Sequence, residues 1–296
     1  MKRSRLLLWG VALAAGLLTA PAIALPVAPA QAVNSITVVS ANSASNSLTT
    51  KTITVDCPLG TSLYGPGGGI TGGGGNVALE AVVPEGNPPF RARVTARELG
   101  AFTGNWSVSA WASCGPFTNN LQVVPGNRAS STATTKEIDA RCESAGAGLR
   151  LYGTGFRVNG GVGNVLVHDV IPGTSISPRS VTVRATARPG FTPNWGLDAF
   201  AVCATAAPTM GIEQASTTST SSSSKGINSQ NCPTGTFAHG VGSQTSAPAP
   251  NTTAVDGRIA LTTTAALFTA LGSAAAAENG TVSDNWRLQV YVVCSN

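Results

Sequence analysis

Six cysteines and two histidines carry the most reactive side chains of this chain, and their placement decides which chemistries are open. The cysteines, Cys57, Cys114, Cys142, Cys203, Cys232 and Cys294, fall as three pairs, each closing a loop of roughly 60 residues. Zinc would need ligands at short spacing such as Cys-x-x-Cys, which is absent, together with more imidazole than His168 and His239 supply. No clustered Asp/Asn loop suits calcium either. No metal and no cofactor is expected.

Nucleophilic catalysis has as little to work with. The two histidines stand at non-equivalent places, no Gly-x-Ser-x-Gly elbow occurs, and adjacent His168 and Asp169 on a strand should point to opposite faces. No pair of carboxylates recurs at a shared position, as two-carboxylate glycoside hydrolysis would favour in a repeated module. No catalytic residue is assigned, and the chain is read as non-enzymatic. The glycine run "GPGGGITGGGG" lacks the Gly-Lys-Ser/Thr of a phosphate loop and reads as a bulge or open loop between strands.

The cysteines belong to a longer repeat. "NWSVSAWASC" returns as "NWGLDAFAVC" and as "NWRLQVYVVC"; "TTKTITVDC" matches "TTKEIDARC", and "LYGPG" matches "LYGTG". A repeat of this length should be read before secondary structure. It divides the chain into modules at 33–118, 119–207 and 208–296, the third divergent in its middle. Similar modules fold alike only if each bridge stays within its own copy, which predicts Cys57–Cys114, Cys142–Cys203 and Cys232–Cys294. An oxidising compartment would preserve such bridges.

In each copy the Trp-to-Cys segment alternates with period two. Trp106, Trp195 and Trp286 begin an apolar face that runs to the cysteine, as on a strand with one side on a core. Trp111, Phe200 and Tyr291 fall at the odd offset, on the opposite face. They are the candidate binding residues, as stacking platforms or interface anchors, unless they cover a second layer or the junction between modules. Other runs rich in β-branched residues lie between Gly/Pro/Asn breaks, so the expected fold is all-β: three tandem small antiparallel β modules, sandwich- or prism-like, of about five strands, one disulfide each, stapled from first strand to last. Only "ALFTALGSAAAAE" in the third copy could make a short helix. Lys51, Lys136 and Lys225 precede the first cysteine of each copy and read as guards against edge-to-edge pairing. The Ser/Thr-rich lead-ins read as linkers or frayed edge strands.

The chain opens with Lys2, Arg3 and Arg5, an apolar run and Ala30-Gln31-Ala32, the pattern of a secretory leader over 1–32 cleaved after Ala32. Three of the net +5 charges lie in that leader, leaving about +2, too few for a nucleic-acid or anionic-lipid footprint. Nothing beyond the leader is long and apolar enough to insert in a membrane.

The combination of a Lys-x-Ile then Cys-Pro-x-Gly-Thr opening, a glycine-rich turn and a closing Asn-Trp-x7-Cys strand resembles a group of secreted actinobacterial proteins built from repeated small disulfide-stapled β modules. That resemblance implies a structural or binding role. The expected function is a protein-binding adaptor or component of an extracellular assembly; the alternatives are a lectin-like glycan or cell-wall binder and, more remotely, a secreted hydrolase.

Overall fold

The computed structural model describes residues 35–118, 120–173, 178–218, 221–246, 258–267, 269–282 and 284–296. The expected leader, 1–32, lies outside them. The protein is all-β, and each copy contributes six strands rather than five. The first gives β1 (Thr37–Asn42), β2 (Thr50–Asp56), β3 (Thr61–Gly72), β4 (Val77–Gly86), β5 (Pro89–Glu98) and β6 (Trp106–Pro116). The second gives β7 (Gln122–Ser131), β8 (Thr135–Arg141), β9 (Leu149–Asn159), β10 (Val165–Pro172), β11 (Ser180–Ala187) and β12 (Trp195–Thr205). The third gives β13 (Met210–Ser216), β14 (Lys225–Asn228), β15 (Phe237–Ser246), β16 (Ile259–Ala266), β17 (Gly272–Glu278) and β18 (Arg287–Ser295).

These strands form three six-stranded antiparallel sheets, and no sheet belongs to one copy. The first sheet runs β1-β6-β3-β16-β17-β14, the second β2-β5-β4-β9-β12-β7, and the third β13-β18-β15-β10-β11-β8. Each copy is thus two three-stranded halves facing one another, and each half continues into a half of a different copy. The joints are short and equivalent: Thr263–Thr264 on Gly69–Gly68, Ala81–Val82 on Arg157–Phe156, and Asp169–Val170 on Gln244–Ser243. The three modules close on one another with pseudo-threefold symmetry.

The three predicted bridges are formed, with Cα–Cα separations of 5.6 Å. They differ from expectation in one respect, since the first cysteine of each pair follows the second strand of its copy rather than the first. Each bridge therefore ties two different sheets, and together the three link all the sheets pairwise. In the chain-entropy model each closed loop stabilises by about 4 kcal/mol. Inside, Trp106, Trp195 and Trp286 are fully buried, as the period-two face requires.

Three local expectations are corrected. Most of the glycine run, residues 65–72, is strand β3 rather than a loop, because the sheets approach too closely there for side chains, and only Gly73–Gly75 turn towards β4. The Ala-rich segment of the third copy is largely the hairpin β16–β17; alternate alanines, Ala274 and Ala276, reach the module core, and burial overrides helix propensity. The lysines do not guard edges. Lys51, Lys136 and Lys225 turn inward with Nζ 4.3, 4.8 and 4.9 Å from the ring centres of Trp106, Trp195 and Trp286. Lys51 Nζ donates to the carbonyls of Ala44, Asn46 and Trp106, Lys136 to Ala129, and Lys225 to Ser221, pinning each lead-in to its core. Burial lowers the pKa of Lys51 and Lys136, the latter with help from Arg128. The lead-ins begin on the edge strands β1, β7 and β13, as far as Asn42, Ser131 and Ser216.

At one end β3, β9 and β15 converge, and the third copy retains there a position that sequence comparison missed. Register shifts fall at Tyr64, Tyr152 and His239, and the three rings meet with centroids 5.2–5.4 Å apart. "AHGVG" thus stands where the other copies have "LYGPG" and "LYGTG". The glycine after each ring is required by close approach: a Cβ on Gly65 would lie 2.1 Å from the carbonyl oxygen of His239, and one on Gly153 2.2 Å from that of Tyr64. Burial, reinforced by Tyr64, pushes the Tyr152 phenol up to about 12.

Candidate binding face

The strand that carries each candidate aromatic lies beside a glycine-bearing strand, and the three rings occupy equivalent places. Trp111 pairs with Gly67, Phe200 with Gly155 and Tyr291 with Gly242. All three face away from the module cores, on the outward faces of the sheets and near the joints between copies. Their surroundings differ because the next outward position on the neighbouring strand differs: Gly69 in the first sheet, Arg157 in the second, Gln244 in the third.

In the second sheet Arg157 fills the place that Gly69 leaves open. Its guanidinium sits 5.7 Å from the Phe200 ring centre and forks onto Asp198 at 2.9 and 2.6 Å. Asn127 and Asn159 also donate to the buried Asp198 carboxylate. Phe200, with Ala81, Val83 and Val123 against it, is left 9% exposed. In the third sheet Tyr291 donates its hydroxyl to Gln244 at 2.8 Å and is 4% exposed; burial and the charge of Asp169 raise its pKa. Phe200 is therefore committed to joining modules, and Tyr291 is buried and tied to Gln244 of its own copy.

Trp111 is different. It remains partly exposed, and its ring covers Gly69 so closely that a Cβ there would lie 2.7 Å from ring carbon Cζ3. Around it the outward rows of the first sheet are small and uncharged. One row reads Asn42, Ser109, Gly69, Thr263, Ala275, Gly226 across all six strands. The ring's own row continues through Ser40 on one side and Gly67 on the other, where a Cβ on Gly67 would lie 2.7 Å from that of Ala265. The only charged residues on the strands of this sheet are Lys225, turned onto Trp286, and Glu278 at the end of β17. The corresponding face of the second sheet carries ion pairs of Arg91 with Asp56, Arg93 with Glu85 and Arg97 with Glu80.

The other reactive groups are placed as follows. The cysteines are all in bridges. His168 and Asp169 do not point apart: a register shift between Val167 and Asp169 brings Nδ1 within 3.4 Å of Oδ1, while Nε2 lies 3.1 Å from the Thr186 hydroxyl. This acid, imidazole and hydroxyl sequence is buried throughout, at 3%, 2% and 5% exposure, so no substrate reaches it, and it serves as a polar link between β10 and β11. His239 Nε2 lies 2.7 Å from the Ser295 hydroxyl; burial lowers its pKa to about 4. No group of three or more potential metal ligands occurs among the described residues.

The alternation that singled out Trp111 was visible in sequence, whereas the platform beneath it was not. Its signal was the run of serines at the other odd positions of the same strand, Ser107, Ser109 and Ser113, but the rest comes from β16 and β17 of a different copy. No family model and no curated protein matches the chain.

Proposed function

We propose that this chain is a secreted, non-catalytic binding protein, exported by a leader cleaved after Ala32, and that it holds an uncharged glycan across Trp111 on the outward face of the first sheet. The observation that carries this reading is a partly exposed indole set in six-stranded rows of Gly, Ala, Ser, Thr and Asn with no ionic group. An aromatic ring offers a face to the C–H surfaces of a sugar, and the flanking hydroxyl and amide groups can pair with sugar hydroxyls. Lack of charge favours a neutral ligand over an acidic or basic one. The face is ~29 Å wide at the ordinary strand spacing and ~20 Å along the strands. That gives ~600 Å², less than the ~800 Å² per partner of a stable protein pair. Three bridges joining three sheets fit an extracellular setting, and no helix among the described residues is long and apolar enough to cross a membrane.

Retention on insoluble neutral polysaccharides and on purified cell wall tests this reading. Trp111→Ala should weaken retention at least tenfold, and unchanged retention would remove the site. A second reading, an adaptor within an extracellular protein assembly, is favoured by a separate feature. Leu59 and Phe117 are 104% and 54% exposed in neighbouring loops beside the first bridge, brought together by the pairing of Thr61 with Pro116. Capture of a defined secreted protein that is lost in Leu59→Asp or Phe117→Asp, and kept in Trp111→Ala, would favour it.

A further inference from the structure

The end of the molecule opposite the Tyr64, Tyr152 and His239 rings holds a cavity of about 240 Å³ to which all three copies contribute. Leu99, Arg188 and Asn279 are the residues that follow the equivalent strands β5, β11 and β17, and all three line it. Their backbone amides are held alike, donating to the carbonyls of Asn76, Asn164 and Arg258 at 2.8, 2.8 and 2.7 Å. The symmetry is broken by the side chains: one apolar, one cationic, one amide.

Among the described residues Arg188 is the only charged one lining this cavity. Its Nη1 donates to the carbonyl of Leu99 at 2.5 Å, which fixes the guanidinium across the boundary between two copies. Among the described residues no carboxylate pairs with it, although Arg91, Arg93, Arg97, Arg141, Arg157, Arg179 and Arg184 all have acidic partners. The remaining N–H groups of Arg188 and the backbone amides of Gly100 and Ala101, which also line the cavity, have no hydrogen-bond partner among the described residues. Leu99 and Phe102 supply apolar wall. A fixed, unpaired guanidinium with nearby free amides matches an oxyanion, which accepts a forked pair of N–H bonds.

We propose that this polar cavity is a binding site for a small oxyanion, the carboxylate or phosphate group of a compact molecule, with Arg188 as the primary contact. The site is independent of Trp111, being built at the far end of β3 from shared loops rather than on a sheet face. Its formation requires all three modules closed together.

The test is calorimetry and thermal unfolding of the full mature protein with inorganic phosphate, with propionate, and with chloride at matched ionic strength. Phosphate or propionate should raise the Tm saturably above the chloride control, and Arg188→Gln should weaken that affinity at least tenfold. Phe102→Ala separates the two sources: loss of propionate alone marks an organic carboxylate, and loss of neither marks phosphate as the favoured group. Asn76→Asp, an exposed position on the cavity rim, places a carboxylate near Arg188 and should compete with the anion even where Arg188→Gln folds poorly. Trp111→Ala should bind the anion as the parent does. Shifts no larger than those of chloride, or equal affinity in Arg188→Gln and Asn76→Asp, would overturn the proposal.

Discussion

The outward faces of the first and second sheets are built on the same strand register and have opposite character. Where the second sheet sets Arg157 and Asp198 beside Phe200, the first sets Gly69 and Ser109 beside Trp111. The charged set closes over its aromatic ring, which packs against the neighbouring module. The small set leaves its ring uncovered. One scaffold position thus holds a covered or an uncovered ring according to the size of the residue across the strand, because an outward side chain either caps the neighbouring ring or leaves its face to solvent.

Four measurements can break or sharpen this contrast. The largest effect is expected from truncating the rings. Phe200→Ala should cost about 3–4 kcal/mol in denaturant unfolding, as for a buried core aromatic, whereas Trp111→Ala should cost under about 2 kcal/mol while abolishing ligand retention. Equal losses of stability would mean that both rings are cohesive and that the first face is not set apart.

The convergence of β3, β9 and β15 offers a second asymmetry, since His239 replaces a tyrosine. Its folded-state pKa of about 4 lies below the ordinary 6.5, so protons bind the unfolded chain preferentially between those values. Stability from this residue is fully present above about pH 6.5 and is lost as pH falls through 4, by about 3 kcal/mol in total. His239→Tyr should flatten the unfolding free energy over that range; an unchanged pH profile would place the titration elsewhere.

Removing the anchor of the charged face comes next. Asp198→Ala leaves Asn127, Asn159 and Arg157 without their shared acceptor, and because Arg157 is 42% exposed and can rehydrate, the expected cost is about 2 kcal/mol. Ser109→Ala at the equivalent place should cost under about 1 kcal/mol. The smallest stability effect, with the sharpest functional one, is expected from Gly69→Ala. Its Cβ would meet only the outer edge of the Trp111 ring, which can swing aside, so folding should be nearly unaffected while glycan retention falls. Undiminished retention would show that the seat of the ring on Gly69 is not part of the site.

Much of this was legible before the fold was known. The period-two face from Trp106 to Cys114, its two echoes and the in-copy bridges follow from alternation and self-similarity, which are local properties. The Lys–Trp stacks were not, since a lysine four positions from the serine carbonyl it binds, as Lys225 is from Ser221, reads equally as a solvated edge charge. Nor was the strand nature of the glycine run, where propensity points to a loop and only the nearness of other sheets explains the residue choice. His239 was legible only as a lone histidine until its register with Tyr64 and Tyr152 showed that it completes a ring of three.

The order of polar and apolar residues, and the repeat of cysteines, determined by themselves that the chain would be three bridged β modules, because strand alternation and loop closure act within a stretch of contiguous residues. Which halves would join into sheets was decided only by tertiary packing. That choice brought the alanines and threonines of the last module beside Trp111 of the first and placed Arg188 unpaired among loops of all three, because exposed edges of separate copies are satisfied by whichever partner strand closes the ring.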